Sequence, residues 1–174
     1  MRKRLIASLL IFAMVFTLFP APVFAAYGDR DPEHPEWGME LNDYTKDVNV
    51  PGLVVKDYQL MEQGDDGHYA PVYTLVFSLA EGYDAAAIPD FTTASSAPWN
   101  EIGELVKYVY IKDGITAIGD NTFADMPVLE TATIEDSSKL TRIGTNAFAN
   151  DRRLTISANA EGERVLALPN VTEI

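Results

Sequence analysis

The phrase ITAIGDNTFADMPVLE at residues 115–130 returns as LTRIGTNAFANDRRLT at residues 140–155. Seven of the sixteen positions are identical at this offset of twenty-five: Thr116/Thr141, Ile118/Ile143, Gly119/Gly144, Asn121/Asn146, Phe123/Phe148, Ala124/Ala149 and Leu129/Leu154. Unrelated segments share far less, so the chain carries an internal duplication. A period of roughly 20–50 residues signals stacked units, because one such unit cannot bury its apolar side chains alone.

Each unit opens on a short apolar strand, LVKYVYI at 105–111 and LETATI at 129–134. The strands are displaced by 23 residues (Ile111 to Ile134) and the later positions by 25, so the two additional residues fall in EDSSKL, a turn where insertion costs little. Ile118 and Ile143 form a second apolar wall facing the strand. Phe123 and Phe148 fill the centre of each coil, and Ala124 and Ala149 are small enough to let coils approach. Gly119 and Gly144 are expected in a turn that needs positive φ. The scheme requires the two phenylalanines to lie close together and out of water.

These residues carry a family resemblance. VYIKDGITAIGDNTFADMPVLETATIEDSSKLTRIGTNAFANDRRLT resembles the BspA-like bacterial leucine-rich repeats, whose units carry Ile-Gly, then Ala-Phe, then Leu. The preceding AIPDFTTASSAPW is similar to the Met-Pro-Asp-aromatic and Ala-Pro-Trp segment that introduces such repeats, so the resemblance spans residues 88–156. It departs where Thr122 stands in place of the usual Ala, where MPV and DRR replace a Gly-Cys turn, and over 157–168. The resemblance implies a mainly β (α+β) fold: a leucine-rich-repeat solenoid with short strands over 105–174, two coils complete and a third incomplete. NVTEI at 170–174 restarts the apolar-Thr-x-Ile step, after which the chain stops. A solenoid ending in mid-coil exposes an apolar cross-section, which reads as a shortened chain open to self-association; a final strand that caps the stack is the alternative. Asn170-Val171-Thr172 matches a glycosylation sequon and is read as chance in a bacterial chain.

The other end reads as an export signal. Arg2, Lys3 and Arg4 precede an uncharged apolar stretch from Leu5 to Phe19, and Pro20, Pro22 and the small residues of VFA follow, with cleavage expected after Ala25. The apolar stretch is shorter than the ~20 residues a membrane span needs, so no membrane insertion is expected once the signal is removed. Losing three cations takes the net charge from −13 to −16, a surface that repels nucleic acid and anionic lipid. The chain has no cysteine, so the exported body is expected to hold by packing alone, without cofactor or metal; His34 and His68 read as solvated.

Between signal and repeats, residues 26–50 read as a linker or irregular arm on which Trp37 is the one large apolar residue. Residues 51–104 read as an N-terminal β region and cap. In it GLVVKDYQLMEQ and HYAPVYTLVFSLAEG flank the turn GDDG, and Tyr73, Leu75, Phe77 and Leu79 alternate with Thr74, Val76 and Ser78, which is a β-hairpin pattern. Asp65 and Asp66 read as turn residues rather than calcium ligands. Phe91 and Trp99, in the small-residue connector 82–104, are expected to cover the open end of the core.

No nucleophile elbow, phosphate loop or His-Glu-x-x-His helix is present, and no catalytic residue is assigned. A secreted carbohydrate-active hydrolase, the enzyme alternative, would need paired carboxylates, for which Asp84, Asp90, Glu101 and Glu104 are the candidates. A spacer or fragment that binds nothing is another alternative. The favoured reading is a secreted or cell-surface module for protein interaction or adhesion, meeting an extracellular protein or a host matrix or cell-surface ligand. Aligning the two strands turns Val106, Val109, Ile111, Leu129, Ala132 and Ile134 inward and Lys107, Tyr108, Tyr110, Glu130, Thr131 and Thr133 outward as the binding surface. Outward tyrosines are common binding anchors; the competing expectation packs Tyr108 and Tyr110 beneath the 82–104 connector.

Overall fold

The computed structural model describes residues 38–63, 67–135 and 138–158. The export signal, Trp37 and the unit restarting at residue 170 lie outside them. From residue 69 onward the chain alternates between two sheets, as stacked coils require. Strands β1 (Met39–Asp43), β2 (Leu53–Gln63), β3 (Tyr69–Leu79), β5 (Val106–Ile111), β7 (Thr131–Ile134) and β9 (Thr155–Ala158) form a six-stranded sheet in the order β1-β2-β3-β5-β7-β9. Strands β4 (Ala86–Ala87), β6 (Ile115–Ile118) and β8 (Arg142–Ile143) form a second, three-stranded sheet.

The six-stranded sheet changes character partway across. β1, β2 and β3 pair antiparallel, β2 with β3 along their full length from Leu53↔Leu79 to Gln63↔Tyr69, which is the hairpin its alternating sequence predicts. From β3 onward the pairing is parallel, because every later strand returns after a full turn of coil. A short helix, α1 (Thr45–Val48), links β1 to β2, with Val55 N–H donating to Thr45 Oγ1 at 3.1 Å.

One core lies between the sheets. Leu53, Val55, Leu75, Phe77, Val106, Val109, Ile111, Leu129, Ala132 and Ile134 reach it from one side, and Ile88, Ile115, Ile118 and Ile143 from the other. Trp99, Phe123 and Phe148 form a column through it. The rings of Phe123 and Phe148 stack with centroids 5.1 Å apart, and Trp99 lies over Phe123 at 6.3 Å, tilted by 30°. Phe77 meets both Trp99 and Phe123 edge-on, at 5.1 and 5.3 Å. Phe91 and Tyr44 close edge-on over Trp99, at 5.4 and 6.2 Å. Phe123 and Trp99 are fully buried and Phe148 partly so. Burying each such ring stabilises the fold by roughly 1.5–3 kcal/mol before aromatic geometry is counted.

Trp99 therefore plugs a coil of its own rather than only lidding the core. Ile88 N–H donates to Ala117 O at 2.9 Å, Phe91 N–H to Asp120 O at 2.9 Å, and Asp120 N–H to Asp90 Oδ1 at 2.8 Å. The connector AIPDF thus runs beside AIGDN in the register of a preceding coil. Thr122, which departs from the repeat pattern, is buried and donates its hydroxyl to Gly119 O at 2.7 Å, while its own carbonyl accepts the Trp99 indole N–H at 3.0 Å.

The glycine expectation needs correcting. Neither Gly119 nor Gly144 has positive φ; in the turns that follow them the residues with positive φ are Asn121 (54°), Asp125 (64°), Asn146 (56°) and Asn150 (70°). The two glycines are there for proximity. A Cβ on Gly119 would stand 2.0 Å from Pro89 O, and one on Gly144 would stand 2.3 Å from Asp120 Oδ1 and 2.5 Å from Asp120 N. Here successive coils touch backbone to backbone, and any side chain would hold them apart.

Candidate functional site on the open face of the six-stranded sheet

One face of the six-stranded sheet seals the core; the other carries the side chains that alternate outward. At the start of β5 the alternation skips a beat. Tyr73 pairs with Val106 but Thr74 with Tyr108, so Lys107 is the added residue of a bulge, and both Lys107 and Tyr108 leave the core side. Farther along, Val76 pairs with Tyr110, Tyr108 with Thr131, and Tyr110 with Thr133. The six residues singled out from the sequence consequently lie on adjacent strands. Lys107, Tyr108, Tyr110, Glu130 and Thr131 are partly exposed, whereas Thr133 is buried among its neighbours at 7% exposure.

Lys107 is the hub of this face. Its ammonium pairs with Glu62 on β2 and lies 3.4 Å from Glu130 beside β7, and it stands 5.4 Å from the centroid of the Tyr108 ring. Tyr108 donates its hydroxyl to the other oxygen of Glu62 at 2.9 Å. The hydrogen bond with Lys107 holds the Glu62 carboxyl below its ordinary range, and the same bond raises the Lys107 pKa. Burial, followed by the Glu62 hydrogen bond, raises the Tyr108 phenol. Lys56, farther along β2, is held by Glu40 of β1 at 2.9 Å.

Tyr110 has a different environment. It packs against Tyr58 of β2 and Val76 of β3, which form a small apolar cluster separate from the main core. Tyr58 is only 5% exposed there. The expectation that Tyr108 and Tyr110 lie beneath the 82–104 connector is therefore overturned: their contacts come from the hairpin strands on the opposite side of the sheet. The sequence could not reveal Glu62 or Tyr58 as partners, because both sit forty or more residues earlier in the chain.

The hydrolase carboxylates are divided between two segments. Asp84 and Asp90 flank β4, Glu101 and Glu104 lie in a 3₁₀ turn at Asn100–Leu105, and no hydrogen bond joins any two of them. Asp90 instead pairs with Arg142 of β8 at 2.7 Å, and that guanidinium, which also reaches Asp120, holds the Asp90 carboxyl below its ordinary value. Glu104 borders a recess lined by Asp125, Pro127, Asn150 and Arg152 that is broadly open to solvent. Among the described residues no group of His, Asp and Glu converges to hold a metal ion, and no helix is long and apolar enough to cross a membrane.

Two carboxylates escaped the sequence reading. Asp57 is fully buried, accepts from Asn42 N at 2.6 Å, from Asn42 Nδ2 at 3.0 Å and from the Tyr44 hydroxyl at 3.2 Å, and has its pKa raised by burial. Its signal was an acid at an inward position of the Leu53-x-Val55-x-Asp57 alternation. Asp151 accepts Met126 N–H at 2.9 Å through Oδ1, while Oδ2 is buried without a hydrogen-bond partner; burial pushes its pKa up to about 7.

No protein-family model matches the chain, and no curated protein does. Among solved structures, it is similar to a leucine-rich repeat protein from Eubacterium ventriosum, with TM-score 0.52 and 21% identity, over 78% of this chain. That alignment spans 28% of the larger protein, so this chain corresponds to a little over a quarter of its length. A leucine-rich cell surface protein from Faecalibacterium prausnitzii aligns more loosely, with TM-score 0.34 and 20% identity, over 57% of this chain and 30% of that one. Two alternating sheets, a stacked aromatic column and the first of these likenesses agree: the fold of this chain is that of a bacterial leucine-rich repeat solenoid.

Proposed function

We propose that the chain is an exported, non-enzymatic interaction module that binds an extracellular protein, of a host matrix or of a cell surface, through the open face of its six-stranded sheet. One observation carries the reading. The inner face of that sheet is sealed into the core, while no described helix or strand layer packs on the outer face, where Lys107, Tyr108, Tyr110, Glu130 and Thr131 stand side by side on β5 and β7. Flat arrays of this kind, carrying aromatics with polar tips, suit protein contact better than chemistry on a small substrate.

Export is supported by the basic and apolar start of the sequence. The test is capture of the purified chain on a panel of immobilised extracellular matrix proteins. Tyr108→Ala lowers capture at least tenfold, while Lys139→Ala, in the turn between β7 and β8 and paired with Asp113, leaves it unchanged. Capture by no member of the panel, or capture indifferent to Tyr108→Ala, refutes the proposal. A hydrolase would release reducing ends from polysaccharides and lose that activity in Glu101→Gln or Glu104→Gln.

A further inference from the structure

We propose that the partner of the open face is a basic polypeptide segment, and that Lys107 occupies, in the unbound protein, the seat of one of its cationic side chains. The inference deepens the interaction reading and rests on it.

The Lys107 ammonium has the surroundings of a recognised cation. Two carboxylates from different strands, Glu62 and Glu130, converge on it, and the Tyr108 ring lies beneath it at 5.4 Å. Carboxylates combined with an aromatic face are the elements that recognise a lysine or arginine side chain. Glu62 is itself oriented, since it accepts the Tyr108 hydroxyl at 2.9 Å. The seat is therefore assembled from β2, β5 and β7, and a residue of the bulge fills it.

Charge points the same way. Three carboxylates, Glu40, Glu62 and Glu130, surround two ammonium groups, Lys56 and Lys107, on this face. Both lysines are already engaged by carboxylates, so an acidic partner would have to break those pairs before meeting a cation. A basic partner meets the carboxylate in excess, and the chain as a whole carries net charge −13, which favours its approach. Extended backbone suits a face made of strands, where side chains recur at regular intervals.

Lys107 then acts as an internal competitor, so its removal must strengthen binding. Loss of any single cation strengthens attraction of a basic peptide slightly, so a large gain confined to Lys107 is what separates this proposal from plain electrostatic attraction.

The probe is a fluorescein-labelled oligo-arginine peptide, titrated by fluorescence polarisation at low salt against the full chain. Lys107→Met binds it about tenfold more tightly than wild type, and Lys107→Gln behaves alike; the pair of variants guards against a local folding defect, which thermal melts would reveal. Glu62→Gln with Glu130→Gln binds about tenfold more weakly. The charge-matched controls, Glu81→Gln with Asp84→Asn for the carboxylates and Lys46→Met on α1 for the lysine, all exposed, each change the affinity less than twofold. Unchanged or weaker binding by both Lys107 variants overturns the proposal, as does a gain in Lys46→Met equal to that of Lys107→Met, or a carboxylate control that weakens binding as much as the Glu62 and Glu130 changes. The two readings fail separately. A matrix protein captured through Tyr108 but indifferent to Lys107→Met and to Glu62→Gln leaves the open face standing and removes the basic partner.

Discussion

Replacing Gly144 by alanine adds one methyl group at the closest approach of two coils. An ideal Cβ there lies 2.3 Å from Asp120 Oδ1 and 2.5 Å from both Asp120 N and the Gly119 carbonyl carbon, whereas carbon atoms in good contact sit about 3.5–4.0 Å apart. Two of the three obstacles are backbone, so the coils must separate by about 1 Å rather than a side chain turning aside. Overpacking of this kind costs about 1–3 kcal/mol. Separation also stretches the bonds from Gly144 N to Ile118 O at 2.8 Å and from Thr145 N to Asp120 Oδ1 at 2.9 Å, each contributing about 1 kcal/mol. Stiffening of the unfolded chain by alanine returns about 0.4–1 kcal/mol. The net loss is about 2–4 kcal/mol, which lowers a urea midpoint by about 1–2 M for an ordinary m-value. The assay is urea unfolding followed by Trp99 fluorescence in a Trp37→Phe background, Trp99 being fully buried. Asn146→Ala, which forces alanine into positive φ at 56°, should cost only about 1 kcal/mol. If Gly144→Ala costs no more than Asn146→Ala, the proximity argument is wrong.

Four other substitutions probe the same framework. Asp151, with its pKa pushed up to about 7, binds a proton in the folded chain that the unfolded chain releases near pH 4. The fold therefore loses stability as pH rises between those values, and Asp151→Asn should remove that loss. The gain at pH 8 is about 1–2 kcal/mol, less than the full shift because part of the residue stays in water, and it should be absent at pH 4; melts at the two pH values decide. Arg142→Met severs the link to Asp90 and Asp120 across three coils and should cost about 0.5–1 kcal/mol in low salt, fading in 1 M salt. Because that guanidinium depresses the Asp90 pKa, the contribution is present at neutral pH and lost as Asp90 protonates on acidification, so wild type and variant should converge in acid. Tyr110→Ala, which opens the cluster with Tyr58 and Val76, should cost about 2 kcal/mol, whereas Tyr108→Ala should cost under about 1 kcal/mol, which thermal melts will compare.

Much of the coil was legible. The inward set of Val106, Val109, Ile111, Leu129, Ala132 and Ile134 is buried to within 1% of completely, as the strand alignment required. The stacked phenylalanines follow from the period itself, since identical plugs in identical coils must meet. The preceding coil was less visible. AIPDF matches AIGDN, but at an offset of thirty, with Pro89 where the repeats have glycine and Trp99 where they have phenylalanine. The candidate site was legible only as a row of residues. Lys107 could be placed outward, but Glu62 lies forty-five residues away in sequence, and only the pairing of β3 with β5 brings the hairpin alongside.

The sequence by itself determined the repeat, the coil period, the alternation that divides each strand into core and open faces, and the acidic character of the exterior. Those properties are local or periodic, and a period in the chain becomes a period in space without further information. Tertiary structure alone decided that the hairpin joins the solenoid as one continuous sheet, that Gly119 and Gly144 serve coil contact while Asn121 and Asn146 take the strained turn, and that Lys107 sits between two carboxylates. Each of these depends on which backbones lie side by side, and packing settles that between segments whose sequences carry no mark of one another.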